Sequence, residues 1–574
     1  MSNNTIKKHI GTIAIAALTT LVALLPLMPF VRLDLTSEKR FSIAEQSKTL
    51  MRNQTEPIEI IFYSGGNIDA NFARLNTAAT ELIDELNAYA QTRIRYRFVN
   101  PSEADNDTER QKRYYTLERR GLRGMSVASR DADGHLTQSI VFPWAEVTCD
   151  GDTMPVCLLQ PDSRRSGEEG INRAIENLEY EFTDAIRIVG KKEIEKIAFI
   201  EGHGELSEEE VYAASEAFSR YFQIDRGAIG SDAGILNDYK AIIVAKPTQA
   251  LPEKDKYAID QYIMNGGRVM WLIDGVQMQH EALTKSENAT LIPLDVNLQD
   301  QLFRYGVRID NNVVQDMQCA YRPINIAAPA EQPHFEPVPW FYEPLLLTSP
   351  NSPITRNLLQ VKADFASTID FTNNNDDKVR KEILLITSNA THVSQTPCIV
   401  SLQQLMTEAQ NENYWFTRYQ PVATLLEGTF TSIFHSQSRP LPQDIDNPRP
   451  HRNQSEPTRM LVVADGDIIR NELEQTTQGW SVLPLGYDRI TRQTFGNRDF
   501  LLNALLYLTE EQEWMSLRNR QIKLRLLNNA AVSTNRRFWQ TINMLLPIAA
   551  LLATAGINFV IRRKRNTPKQ PRNV

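Results

Sequence analysis

The spacing of apolar residues changes along the chain, and each change predicts an element. Residues 58–63 form a short apolar, β-prone run, residues 71–90 repeat apolar positions at helical spacing, and residues 92–99 alternate through Ile94, Tyr96 and Phe98. Strand, helix and strand in that order make a βαβ unit. Residues 125–127, 139–143 and 156–159 then read as short antiparallel strands. Residues 168–188 read as a helix with Ile171, Ile175, Leu178, Phe182 and Ile186 on one face. Together they predict a small N-terminal α/β domain over residues 32–190.

A plainer alternation follows. Residues 196–200, 239–245 and 268–273 are buried-type strands. Between them lie a helix over 207–221, whose Ser207 and Glu210 have capping-box spacing, and a helix over 254–264 stopped by Gly266 and Gly267. This alternation predicts a doubly wound, largely parallel sheet of flavodoxin-like or glutamine-amidotransferase-like type, its first part at 191–320. Residues 321–455 are richer in Pro, Asn, Gln and Ser, with isolated strands at 382–387 and 422–426, and read as an irregular lobe or insertion. A strand at 460–464 and a helix at 497–507 return the chain to the parallel sheet over 456–510.

Two charge-free runs flank all of this. As helices, residues 10–31 would reach about 33 Å and residues 538–561 slightly further, enough for the hydrocarbon core of a bilayer. The first is long for a signal sequence and lacks a small-residue cleavage site. The second runs into Arg562, Arg563, Lys564 and Arg565, a stop-transfer pattern. Lys7 and Lys8 precede the first run, so the positive-inside rule places residues 1–9 and the basic tail 562–574 in the cytoplasm. The bulk, down to the juxtamembrane segment 511–537, is then expected on the periplasmic side of a bacterial inner membrane.

The 574 residues hold 62 Lys and Arg against 70 Asp and Glu. Eight of the basic groups sit in residues 1–31 and 562–574, which hold no acid, so the body is more acidic than the net charge of −8 suggests. Such a surface repels a phosphate backbone and argues against nucleic acid as a partner. Four cysteines, without C-x-x-C or a Cys/His cluster, give no structural zinc site. Cys149 and Cys157 flank a turn between β-rich runs, so they are candidates for a hairpin disulfide in an oxidising compartment; two buried thiols are the alternative.

The sharpest local motif is Glu201-Gly202-His203-Gly204-Glu205, between a strand and a helix N-terminus, where open α/β sheets bind ligands. Its acids and imidazole could hold a metal or move protons. With no second histidine at ligand spacing, a tight turn whose charged side chains face solvent is the stronger reading. Asp274, Asp465 and Asp467 follow strands and fall on the same rim, where three acids could bind a cation or simply end strands. No cysteine occupies a strand-to-helix elbow, and G-x-S-x-G, H-E-x-x-H and G-x-x-x-x-G-K-[ST] are absent, so no catalytic residue, metal or cofactor is predicted and ATP hydrolysis belongs to another chain.

Several segments carry a family resemblance. They are 171–182 (Ile-Asn-Arg-Ala-Ile-Glu-Asn-Leu-Glu-Tyr-Glu-Phe), 200–205 with the motif above, Gly266-Gly267-Arg268-Val269, 425–432 (Leu-Leu-Glu-Gly-Thr-Phe-Thr-Ser) and 496–503 (Gly-Asn-Arg-Asp-Phe-Leu-Leu-Asn). Leu524-Arg525-Leu526-Leu527-Asn528 then leads to the last span and basic tail. In these, over nearly its whole length, the chain resembles the GldG family, gliding-motility-associated auxiliary or substrate-binding components of ABC transporters in Bacteroidota. The resemblance implies a non-enzymatic subunit beside a separate permease and a cytoplasmic ATPase, in a system for gliding or envelope secretion. It supplies no catalytic residue. A solute receptor is the alternative expectation, and a hydrolase or amidotransferase-like enzyme at His203 a more distant one.

Overall fold

In Ile58–Phe62 (β1) every second side chain is buried, and these residues seat the core of a four-stranded sheet. Helix Ala70–Asn87 (α1) follows, its first turn capped by Asp69, which accepts the N–H groups of Asn71 and Phe72 at 2.8 and 2.9 Å. Arg95–Phe98 (β2) runs parallel to β1, Trp144–Cys149 (β3) antiparallel to it, and Asp152–Cys157 (β4) completes the order β2-β1-β3-β4. Helix Glu168–Val189 (α2) lays Ile171, Leu178, Phe182 and Ile186 on this sheet beside Leu75, Ala79 and Ile83 of α1. The computed structural model describes residues 42–66, 69–130, 136–159, 168–191, 194–278, 288–325, 332, 334–356, 358–372, 378–401, 407, 410–435, 439–476, 479–509 and 536–566. The charge-free run at 10–31 lies outside them.

The second sheet grows from Lys196–Glu201 (β5), helix Tyr212–Ser219 (α3), Gln223–Ala228 (β6), Ala241–Ala245 (β7), helix Glu253–Met264 (α4) and Val269–Leu272 (β8). It continues through Cys319–Asn325 (β9), Phe335–Thr348 (β10), Val379–Ile386 (β11), Pro421–Gly428 (β12) and Thr458–Val463 (β13), and closes with helix Asn497–Leu508 (α5). The spatial order is β9-β10-β11-β12-β13-β8-β7-β5-β6. From β13 to β6 every pairing is parallel. Taken in chain order those five strands run 2-1-3-4-5, the flavodoxin-like arrangement. Alternate residues of each strand face opposite sides: Ile197, Phe199, Ile243 and Met270 pack toward α3 and α5, and Ile200, Ile242, Val244 and Trp271 toward α4.

Residues 321–455, expected as an irregular lobe or insertion, lie between the paired strands β8 and β13 and are not irregular: β12 pairs antiparallel with β13 and carries β11, β10 and β9 outward to extend the sheet. Residues from this stretch and from just before it also seal α4, in which every residue from Asp255 to Met264 is buried. Asp260 accepts from Tyr305 at 2.9 Å, Ser432 at 2.6 Å and the Ile433 N–H at 3.2 Å, while Lys256 reaches Asp300 at 2.7 Å. Four donors to Asp260, counting Gln261, offset the cost of burying that carboxyl group.

The chain divides into two compact units, Met1–Arg520 and Gln521–Val574. Both sheets lie in the first unit. Tyr221 OH donates to Asp184 of α2 at 2.8 Å there. The second unit contains helix Arg536–Asn566 (α6), within which Phe538–Val560 is long and apolar enough to cross a membrane.

Candidate functional site

The carboxyl ends of β5, β7, β8 and β13 share one rim. The chain leaves β5 for β6 on one side and reaches β7 on the other, so the switch point, where such sheets receive ligands, lies between β5 and β7. The turn after β5 fills it. Gly202 and Gly204 adopt φ of +114° and +73°, and a Cβ on Gly204 would lie 2.2 Å from Thr248 Oγ1. Held in this turn, the His203 carbonyl accepts the N–H groups of Thr248 and Gln249 at 2.9 and 2.8 Å.

His203 is only 3% exposed. Its Nδ1 lies 2.8 Å from Glu205 Oε1 and its Nε2 2.9 Å from Asp255 Oδ2 at the start of α4, while its own N–H donates to Glu205 Oε2 at 2.7 Å. Burial alone would pull the imidazole pKa down, but the bonds to Asp255 and Glu205 outweigh it and raise the value to about 9. The imidazolium therefore pins the turn to α4. The solvent-facing turn expected from the sequence is corrected for His203 and Glu205, and it holds only for Glu201, which turns outward to pair with Arg226 at 2.8 Å.

Further along the rim the fold brings together Asp274, just beyond β8, and Asp465 and Asp467, just beyond β13, with carboxylate oxygens within 4.8 Å of one another. Lys246, just beyond β7, enters this group. Its Nζ lies 3.1 Å from Asp274 Oδ2 and contacts Asp467 Oδ2, with the lysine backbone held at φ +57°. Gly466 makes room, since a Cβ there would stand 2.6 Å from Lys246 Cβ, and its N–H donates to Asp274 at 2.5 Å. Asp465 accepts the N–H groups of Asp467 and Asp364 at 2.8 and 2.9 Å.

Burial pushes the Asp274 and Asp465 carboxyl groups above the ordinary range, and together with Glu343 it pushes Asp364 up to about 8. Burial opposes the Lys246 charge too, but Asp274 and Asp467 overcome it and keep the ammonium protonated. Three carboxylates at this spacing suit a hard divalent cation; here the ammonium supplies positive charge among them. Lys246 and Asp364 are the members the sequence did not single out.

An open groove of about 640 Å³, lined by Phe303, Arg308, Asp310 and Asp370 among others, shares no residue with this rim. Nor does the hairpin of β3 and β4. In its register Cys149 stands opposite Asp152 and Cys157 opposite Trp144, so the cysteines occupy opposite ends and both thiols are free. The expected disulfide is thus corrected, because two strand positions this far apart along a hairpin exceed the reach of an S–S bond. All four cysteines should react with a thiol reagent when the chain is unfolded without reductant; a count two short would contradict the free thiols.

Residues 195–504, from β5 into α5, match the family described as "ABC-type uncharacterized transport system". The chain belongs to this family. The family is one of auxiliary components of ABC-type transport systems, and its match spans the whole rim. With the apolar helix at Phe538–Val560 it points to association with a membrane. Residues 37–148, which include β1 and β2, match a domain family described as of unknown function. No curated protein matches the chain. The solved structure titled "mmIFT52 N-terminal domain" covers 55% of this chain and 97% of its own at 12% identity and a TM-score of 0.30, a likeness too slight to carry a property across.

Proposed function

We propose that the chain is a non-enzymatic subunit of an ABC-type complex, anchored in the inner membrane by residues 10–31 and 538–561 with its large unit in the periplasm. In this reading a separate permease and a separate cytoplasmic ATPase are its fixed partners, and the complex serves gliding or envelope secretion. The observation that carries it is the rim. Two places on the rim where a doubly wound sheet commonly receives ligands are filled by the chain's own His203 and Lys246. A P-loop signature is absent from the sequence, so energy conversion is assigned to another polypeptide. The 23-residue apolar helix, long enough to cross the hydrocarbon core, supports the anchor.

Purification of the tagged full chain from mildly solubilised membranes is the test. A permease and an ATPase should co-purify in fixed ratio, and protease added to spheroplasts should digest the large unit. Isolation of the chain alone, or protection of that unit inside intact cells, would sink the reading.

A further inference from the structure

The four-stranded sheet ends in an uncovered strand. Among the described residues β2 pairs with β1 alone, and Arg95, Tyr96, Arg97 and Phe98 are all exposed. The Val99 N–H donates to the Phe62 carbonyl at 2.7 Å. Alternate residues of a parallel strand face the same neighbour, so Arg95 and Arg97 turn their backbone groups to β1, and the N–H and C=O of Tyr96 and Phe98 point outward. An open row of this kind is a template for another strand.

The side chains alternate as well. Tyr96 and Phe98 stand opposite Ile60 and Phe62, with Phe98 stacked on Phe62 at 4.8 Å, yet they remain 37% and 41% exposed. Arg93, Arg95 and Arg97 occupy the other face. Glu59 pairs with Arg97 at 3.1 Å, and Arg93 and Arg95 have no acidic partner among the described residues. The edge therefore offers three matched features: backbone donors and acceptors, an aromatic shelf on one side and positive charge on the other.

We propose that β2 is a docking edge for an extended segment of another protein in which acidic and apolar side chains alternate, added to the sheet as a fifth strand. Its acids would meet the arginines, its apolar residues would cover Tyr96 and Phe98, and its backbone would pair with theirs. A second copy of β2 fits poorly, because pairing two such strands sets arginine against arginine. The inference deepens the reading of a subunit with fixed protein partners but does not depend on which partners co-purify, so each can fail alone.

The test uses the full chain in detergent micelles and a fluorescein-labelled octapeptide of alternating glutamate and valine, followed by anisotropy. The peptide should bind, and one of alternating lysine and valine should not. Tyr96→Pro, which deletes one outward N–H and leaves the β1 ladder intact, should weaken binding about tenfold, as should Arg93→Glu with Arg95→Glu. Arg95→Lys should retain binding, and the unfolding midpoints of all variants should match the unsubstituted chain. Three results would overturn the proposal: no binding by the unsubstituted chain, equal binding of the two peptides, or undiminished binding by a folded Tyr96→Pro variant. Concentration-dependent dimers that Tyr96→Pro dissolves would assign the edge to a second copy and overturn it too.

Discussion

Lys246→Met is expected to lower the unfolding free energy of the sheet-bearing unit by about 3–5 kcal/mol, the usual cost of removing one partner from a buried charge cluster. Methionine fills much of the space but takes the ammonium away from Asp274 and leaves Asp467 only the more exposed Arg470, 3.4 Å from its Oδ1, while the three carboxyl groups still face one another. Part of the repulsion is relieved by protonation, so the deficit should shrink as pH falls. Lys246→Ala adds a sharper arm, because it empties the position between the carboxylates. Magnesium or calcium ions should then raise the midpoint of the alanine variant and leave that of the unsubstituted chain unmoved. Thermal unfolding followed by tryptophan fluorescence reads both effects. An alanine variant as stable as the parent, with or without the ions, would show that the ammonium is not what holds the cluster together.

His203→Ala is expected to have a comparable effect, about 3 kcal/mol, since it deletes two charge-assisted hydrogen bonds and strands Glu205 and Asp255 in the interior. The pH dependence gives the more specific signature. The folded-state pKa of about 9 lies above the ordinary 6.5, so the folded chain binds the proton more tightly than the unfolded chain. The stabilisation is therefore complete below about pH 6.5, declines between there and pH 9, and is gone above it. In that window the alanine variant should lose the downward slope that the parent shows. Parallel pH profiles for the two proteins would mean that His203 is neutral in its pocket.

The strands of the parallel sheet were legible because each is a short apolar run with β-branched residues, and β5, β7, β8 and β13 all fall where the pattern predicts. β6 was not, because Gln-Ile-Asp-Arg-Gly-Ala is an edge strand with Ile224 as its one large apolar residue against the core and no fully buried residue to impose a pattern. The antiparallel extension hid for a different reason. β10 carries Pro337, Pro339 and Pro344, and proline in a strand argues against a strand on sequence alone. At the rim, strand-end acids announced Asp274, Asp465 and Asp467. Lys246 resembled an ordinary surface lysine before Pro247, and only the pairing of β7 with β8 brings it to Asp274. Asp255 was hidden similarly, since an acid in the first turn of α4 already has a local electrostatic reason to be there.

The position of β13 sets the schedule by which this protein can be made. β8 emerges from the ribosome early, but its second neighbour is not synthesised until the whole stretch from Leu272 to Thr458 has followed, and α4 waits nearly as long for the residues around Ser432. Until then a nascent chain presents Val269, Met270, Trp271 and Leu272 along an unpaired edge, though all four are fully buried in the finished protein. Long-range pairing of this kind is slow and prone to aggregation, so truncations ending before Val463 should be recovered as insoluble material rather than as a smaller folded fragment.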